Sequence, residues 1–174
     1  MESVELLKKQ AILKHLTSLP HKVLSLHGVD SISEFVLYDL AAAECFNFNK
    51  AAYLVDNPDF DCLKGIAGFD ASQYYTQDVI WETPELFIEH MKNVSFNTQV
   101  RHVMQPSAHK AGKSDQETAT QLGNSLGFST PSSCSWKMKH DNRGILIYEN
   151  KNECPVEPEI LLYGACLLGF CPIY

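Results

Sequence analysis

Hydrophobic positions along the chain switch repeatedly between a helical and a strand period. Residues 2 to 17 place Val4, Leu7 and Ala11, with Leu6, Leu13 and Leu16, at three- and four-residue spacings and set Lys8, Lys9 and Lys14 opposite. That spacing predicts a helix, interrupted by Pro20 and Gly28; Val23-Leu24-Ser25-Leu26 between them has no clear period. A second helix is expected from Ser31, with Glu34 completing a capping box and Ile32, Phe35, Val36, Leu40 and Ala43 as its apolar stripe. Two strands follow, 50–55 and 62–68, joined through Asp56-Asn-Pro-Asp-Phe-Asp, whose Asn-Pro and clustered aspartates are turn chemistry. Residues 71 to 82 have no clear reading. Thr83-Pro84-Glu85 then opens a helix running to about Lys92.

From Val94 the period falls to two. Val94, Phe96, Thr98, Val100, His102 and Met104 share one face, which predicts a strand with one wet side. Residues 105 to 113 read as a loop, and Ser114 with Glu117 forms another capping box for a helix that stops at Gly127. The last third is the most apolar. Cys134-Ser-Trp-Lys-Met-Lys turns at His140-Asp-Asn-Arg-Gly into Gly-Ile-Leu-Ile-Tyr, and a helix from Pro158 carries no charge between Ile160 and Leu168. A strand apolar on both faces belongs inside a sheet covered on both sides. The expected class is α+β, one domain over 1–174 with residues 1–30 as a helical extension and five mainly antiparallel strands.

Charge narrows the partners. A net charge of −7, with twelve lysines and two arginines, disfavours phosphate backbones and anionic membranes. No nucleic-acid or membrane partner is therefore expected. The longest uncharged apolar run, 160–174, is too short to span a bilayer, which needs about 20 apolar residues. Cysteines 45, 62, 134, 154, 166 and 171 fall largely within predicted elements, and no signal segment opens the chain. Free thiols in the cytoplasm are the expectation.

Several candidate constellations have ordinary explanations. Asp56, Asp59 and Asp61 fail the calcium-loop pattern, with Lys64 where glycine is required, and read as a solvated hairpin tip. Gly112-Lys113-Ser114 lacks the earlier glycine of a phosphate loop and reads as a capped loop. The histidines show no zinc spacing. Cys171-Pro-Ile-Tyr is a poor prenylation box. His102, between Val100 and Met104, reads either as a hydrogen-bonded core histidine or as a pocket-lining polar group. Trp81, Phe96 and Trp136 are further pocket-lining candidates, alongside plain core packing.

Glu34 to Gly68, with its strand Ala51-Ala-Tyr-Leu-Val-Asp, resembles the first helix and hairpin of the GAF domain, a small-molecule-sensing module. Arg143-Gly-Ile-Leu-Ile-Tyr-Glu-Asn, then Val156-Glu-Pro-Glu-Ile-Leu-Leu-Tyr-Gly-Ala, is similar to that family's penultimate strand, loop and final helix. The resemblance implies the strand order 2-1-5-4-3, terminal helices on one face, and residues 71–131 covering the other face and enclosing a pocket. It also implies a non-catalytic sensing or protein-interaction role in signalling, with a small-molecule ligand and a second copy or another protein as partners. The family's ligand-specific signatures are missing, so no cofactor is named. Two other readings stay open: a small cytoplasmic enzyme using Cys62 or His102 with a nearby carboxylate, and a purely structural subunit.

Overall fold

The computed structural model describes residues 2–26, 28–75, 79–151 and 156–173. Helices α1 (Glu2–Ser25) and α2 (Ile32–Ala41) precede the hairpin β1 (Phe48–Asn57) and β2 (Cys62–Asp70). Then come α3 (Pro84–Lys92), α4 (Ser95–Arg101), a two-residue β3 (Met104–Gln105) and α5 (Asp115–Ser125). The hairpin β4 (Ser132–Lys137) and β5 (Arg143–Asn150), followed by α6 (Pro158–Cys166), closes the chain. All strand pairs are antiparallel, in the order β3-β2-β1-β5-β4.

Strand β5 lies between β1 and β4 and serves two cores. Leu146 packs with residues of α1, α2, α3 and α6, while Ile145 and Ile147 pack with residues of α4 and α5. All three side chains are at most 1% exposed. Each such burial is worth about 1.5–3 kcal/mol, so together they rival the net stability of a small domain. Across from them, β1 is a run of alanines and large apolar residues, with Ala51, Ala52, Tyr53 and Leu54 all at 0%.

Three expectations change. Residues 94–104 are not the third strand beside β4; they form α4 and the short β3 on the far side, against β2. The order beginning 2-1-5-4 is present, and among the described residues the place beyond β4 holds no strand. Helix α3 also joins the terminal helices, with Phe87 and Met91 in their core, so among the described helices α4 and α5 cover the opposite face. The packed side chains of Leu54, Phe96, Leu122 and Phe128 occupy the space where the pocket was expected. Finally, α1 does not end before Pro20 but continues to Ser25. A helix-interior proline costs about 3 kcal/mol. Burial of Ile12, Leu16 and Leu19, and the Lys22–Asp39 ion pair beyond the proline, offset it.

Of the two predicted capping boxes, only the one at α5 forms. Ser114 Oγ accepts from the Glu117 amide at 3.1 Å, and the Glu117 carboxylate accepts from the Ser114 amide at 2.8 Å. Ser31 makes no side-chain cap, and neither does Thr83. Ser114→Ala is therefore expected to lower stability by about 1 kcal/mol in a urea titration. Ser31→Ala should leave the midpoint unchanged.

Candidate functional site

The site begins with two missing side chains on β2. Past Leu63 and Lys64, which pair with β3, the outer edge of this strand is met by α4 and the turn after it. The Gly65 amide donates to Val103 O at 3.0 Å, and the Gly68 amide donates to Asn97 Oδ1 at 2.9 Å. A Cβ on Gly65 would stand 1.8 Å from the Val100 carbonyl oxygen, so only glycine permits this approach. The helix thereby covers a sheet edge that would otherwise recruit another strand. Phe96, Asn97 and Val100 form its buried side.

Glu34, read from sequence as half of a capping box, turns inward instead. Its Oε1 accepts from Arg101 Nη1 at 2.7 Å and from Asn97 Nδ2 at 3.0 Å. The carboxylate side chain is 5% exposed and the Arg101 side chain 54%. Asn97 also donates to Met91 O at 3.3 Å. One asparagine therefore joins β2, α2, α3 and α4. Charged hydrogen bonds of this kind are roughly twice as strong as neutral ones.

Above this network a half-open cleft of about 770 Å³ opens between α2, α3 and α4. Val29, Ile88 and Met91 supply its apolar surface, and Lys92, Arg101 and His102 its basic groups. The volume falls within the range of small-molecule sites, and the residues lining it are mainly polar and charged around a small apolar patch.

The four residues singled out from sequence occupy separate places. Trp81 donates its indole N–H to Asp39 Oδ2 at 3.1 Å and packs on Phe35 with ring centroids 5.3 Å apart. Phe96 is buried beneath Lys50 and meets Phe128 edge-on. Trp136 stacks on Tyr53 at 5.7 Å, with its indole nitrogen unpartnered. His102 is exposed at the carboxy-terminal end of α4, not on the apolar face of a strand, and lines the cleft. Glu34, Asn97 and Arg101 were not among the candidates. The available signal was an acid within the apolar helix 32–41, and the capping pattern gave that acid a local explanation.

Among the described residues, no hydrogen bond or ion pair joins Cys62 or His102 to a carboxylate; His15 and Asp39, at 3.6 Å, form the one histidine–acid pair. Cys154 lies outside the described residues; Cys45, Cys62, Cys134, Cys166 and Cys171 are free thiols. Burial pushes Cys45, Cys134 and Cys171 up to about 12, away from the thiolate form. Asp56 is not solvated as expected but 1% exposed, accepting from the His109 amide, while Asp61 accepts from the Ser107 amide. These two acids pin the 106–113 loop to the hairpin. Among the described residues no group of three or more potential ligands is placed to hold a metal ion.

Comparison with protein-family models, curated protein sequences and solved structures found no match, which leaves the cleft's own residues as the ground for its function.

Proposed function

We propose that this chain is a non-catalytic small-molecule-sensing or protein-interaction domain of GAF type, with the α2–α3–α4 cleft as its ligand site. The observation that carries the reading is the network of buried Glu34 and Asn97 with half-exposed Arg101 at the base of a cleft of ligand size. The buried members, Glu34 and Asn97, hold α2, α3, α4 and β2 in one geometry at the cleft's base. The β2-β1-β5-β4 order and the helix following β5 support the family assignment; the helical 95–101 segment departs from it.

A ligand touching α2, α3 and α4 together would favour the arrangement in which they close on it. Helix α2 also carries Asp39, which holds α1 through Lys22, so the change has a route to the terminal helices. Those helices and the short turn after α6 leave Leu24, Tyr163 and Phe170 exposed, apolar groups suited to a second copy or another protein. Among the described residues no helix is long and apolar enough to cross a membrane, and a cytoplasmic setting fits the free thiols.

A thermal-shift screen of metabolites and nucleotides tests the reading. Ligand at about 100 times Kd adds about 2.7 kcal/mol. For a chain of this size that is a rise of roughly 5–10 °C. Thr98→Trp, which fills the cleft from the exposed side of α4, should abolish the rise. A screen in which nothing moves the melting temperature, or hits that ignore Thr98→Trp, would sink the proposal.

A further inference from the structure

We infer that the cleft's ligand carries an anionic group, a carboxylate or phosphate, held at the amino-terminal end of α2; this rests on the cleft being a ligand site. The ten-residue α2 starts at the cleft, and Ser31 at its N-cap position takes the Glu34 amide on its carbonyl oxygen at 2.9 Å while its hydroxyl caps nothing. The positive end of the helix dipole is thus presented without a side-chain acceptor. Ser33, in the same turn, is 3% exposed, and its hydroxyl finds no nitrogen or oxygen partner, only a hydrogen bond to the Cys171 thiol, a weak acceptor. A buried hydroxyl left in this state costs free energy that a ligand oxygen would recover.

Ser33 lines a recess of about 180 Å³ that shares Asp30, Ser31, Glu34 and Arg101 with the larger cleft. The charges around this junction favour an anion. Glu34 is the buried acid, and Arg101 already matches it through Nη1 alone, leaving the rest of a half-exposed guanidinium for a second oxyanion. Lys92 is engaged only in a solvent-exposed pair with Glu89, which holds it weakly. Asp30 is exposed to water and is the one acid without a basic partner there. Beyond the anion position, Ile88 and Met91 offer apolar surface. The ligand is therefore an anion with an apolar body rather than a bare ion.

NMR titration of the folded chain with hexanoate, hexyl phosphate, hexylammonium and 1-hexanol tests this, following the amides of residues 28–34 and 97–102. The anions are expected to bind at least tenfold more tightly than the other two. Ser33→Ala, which removes only this hydroxyl, and Lys92→Gln should each weaken anion binding several-fold without affecting hexanol. Tighter binding of hexyl phosphate assigns the group as phosphate, and tighter binding of hexanoate as carboxylate; either supports the inference. Equal or tighter binding of hexanol or hexylammonium overturns the anionic assignment and leaves the cleft a ligand site. No binding by any of the four, with titrations identical to those of Thr98→Trp, overturns both.

Discussion

Gly65→Ala is expected to lower the unfolding free energy by about 3 kcal/mol or more, at the upper end of what overpacking costs. The added methyl would meet the Val100 carbonyl oxygen at 1.8 Å and its carbon at 2.8 Å, and both are backbone atoms with no rotamer to change. Relief requires α4 to move away from β2, which breaks the Gly68–Asn97 bond and pulls Asn97 from Glu34. Gly68→Ala is the matched control. There the closest atom, at 2.8 Å, is a Val100 side-chain methyl, and the nearest backbone atom, Asn97 Cα, stands at 3.1 Å rather than 1.8 Å, so a smaller loss is expected. Urea titration of the two variants, with limited proteolysis between residues 94 and 104, checks the pair. Negligible losses in both variants would mean that α4 does not rest on this strand, and the cleft would lose its third wall.

Asp39→Ala is the second large effect, expected at about 3 kcal/mol because several partners are stranded at once. The Asp39 carboxylate accepts from Lys22 Nζ at 3.2 Å and Trp81 Nε1 at 3.1 Å, and lies 3.6 Å from His15 Nε2. Two of those partners come from α1, so the variant should also loosen that helix, visible as faster amide exchange over residues 12–23. The same cluster sets a pH dependence. Hydrogen bonding to Asp39, opposed by burial, raises the His15 pKa above its ordinary 6.5. That contribution is complete below 6.5 and is lost as pH rises through the elevated folded value. For Asp39, burial acts to raise the pKa, but His15 and Lys22 prevail and hold it below the ordinary 3.8. Its contribution is present above 3.8 and is lost as pH falls through the depressed folded value. Melting temperature should therefore be highest between these limits and decline above them, and Asp39→Asn should flatten the decline. An unchanged profile in Asp39→Asn would separate His15 from this carboxylate.

Elements whose local signals agree with their burial were legible in the residues. Both hairpins fall where the alternating runs and turn residues put them, β5 is buried on both sides as its unbroken Gly-Ile-Leu-Ile run requires, and α5 begins at its capping box. The cleft was not legible in this way. Its wall at 95–101 reads as a strand because Val94, Phe96, Thr98 and Val100 alternate, yet Phe96, Asn97 and Val100 form one side of a short helix equally well.

By itself, then, the sequence determined the α+β class, the four long strands and the apolar surfaces they must bury, since these follow from periodicities of two and 3.6 summed over many residues. Only the tertiary structure decided where α4 lies, that α1 passes through Pro20, and that Glu34 faces Asn97 and Arg101 rather than its own helix end. The reason is one of magnitude. A cap or a local period is worth about 1 kcal/mol. A buried carboxylate paired with an arginine sixty-seven residues away, on a helix seated against a bare glycine edge, outweighs it.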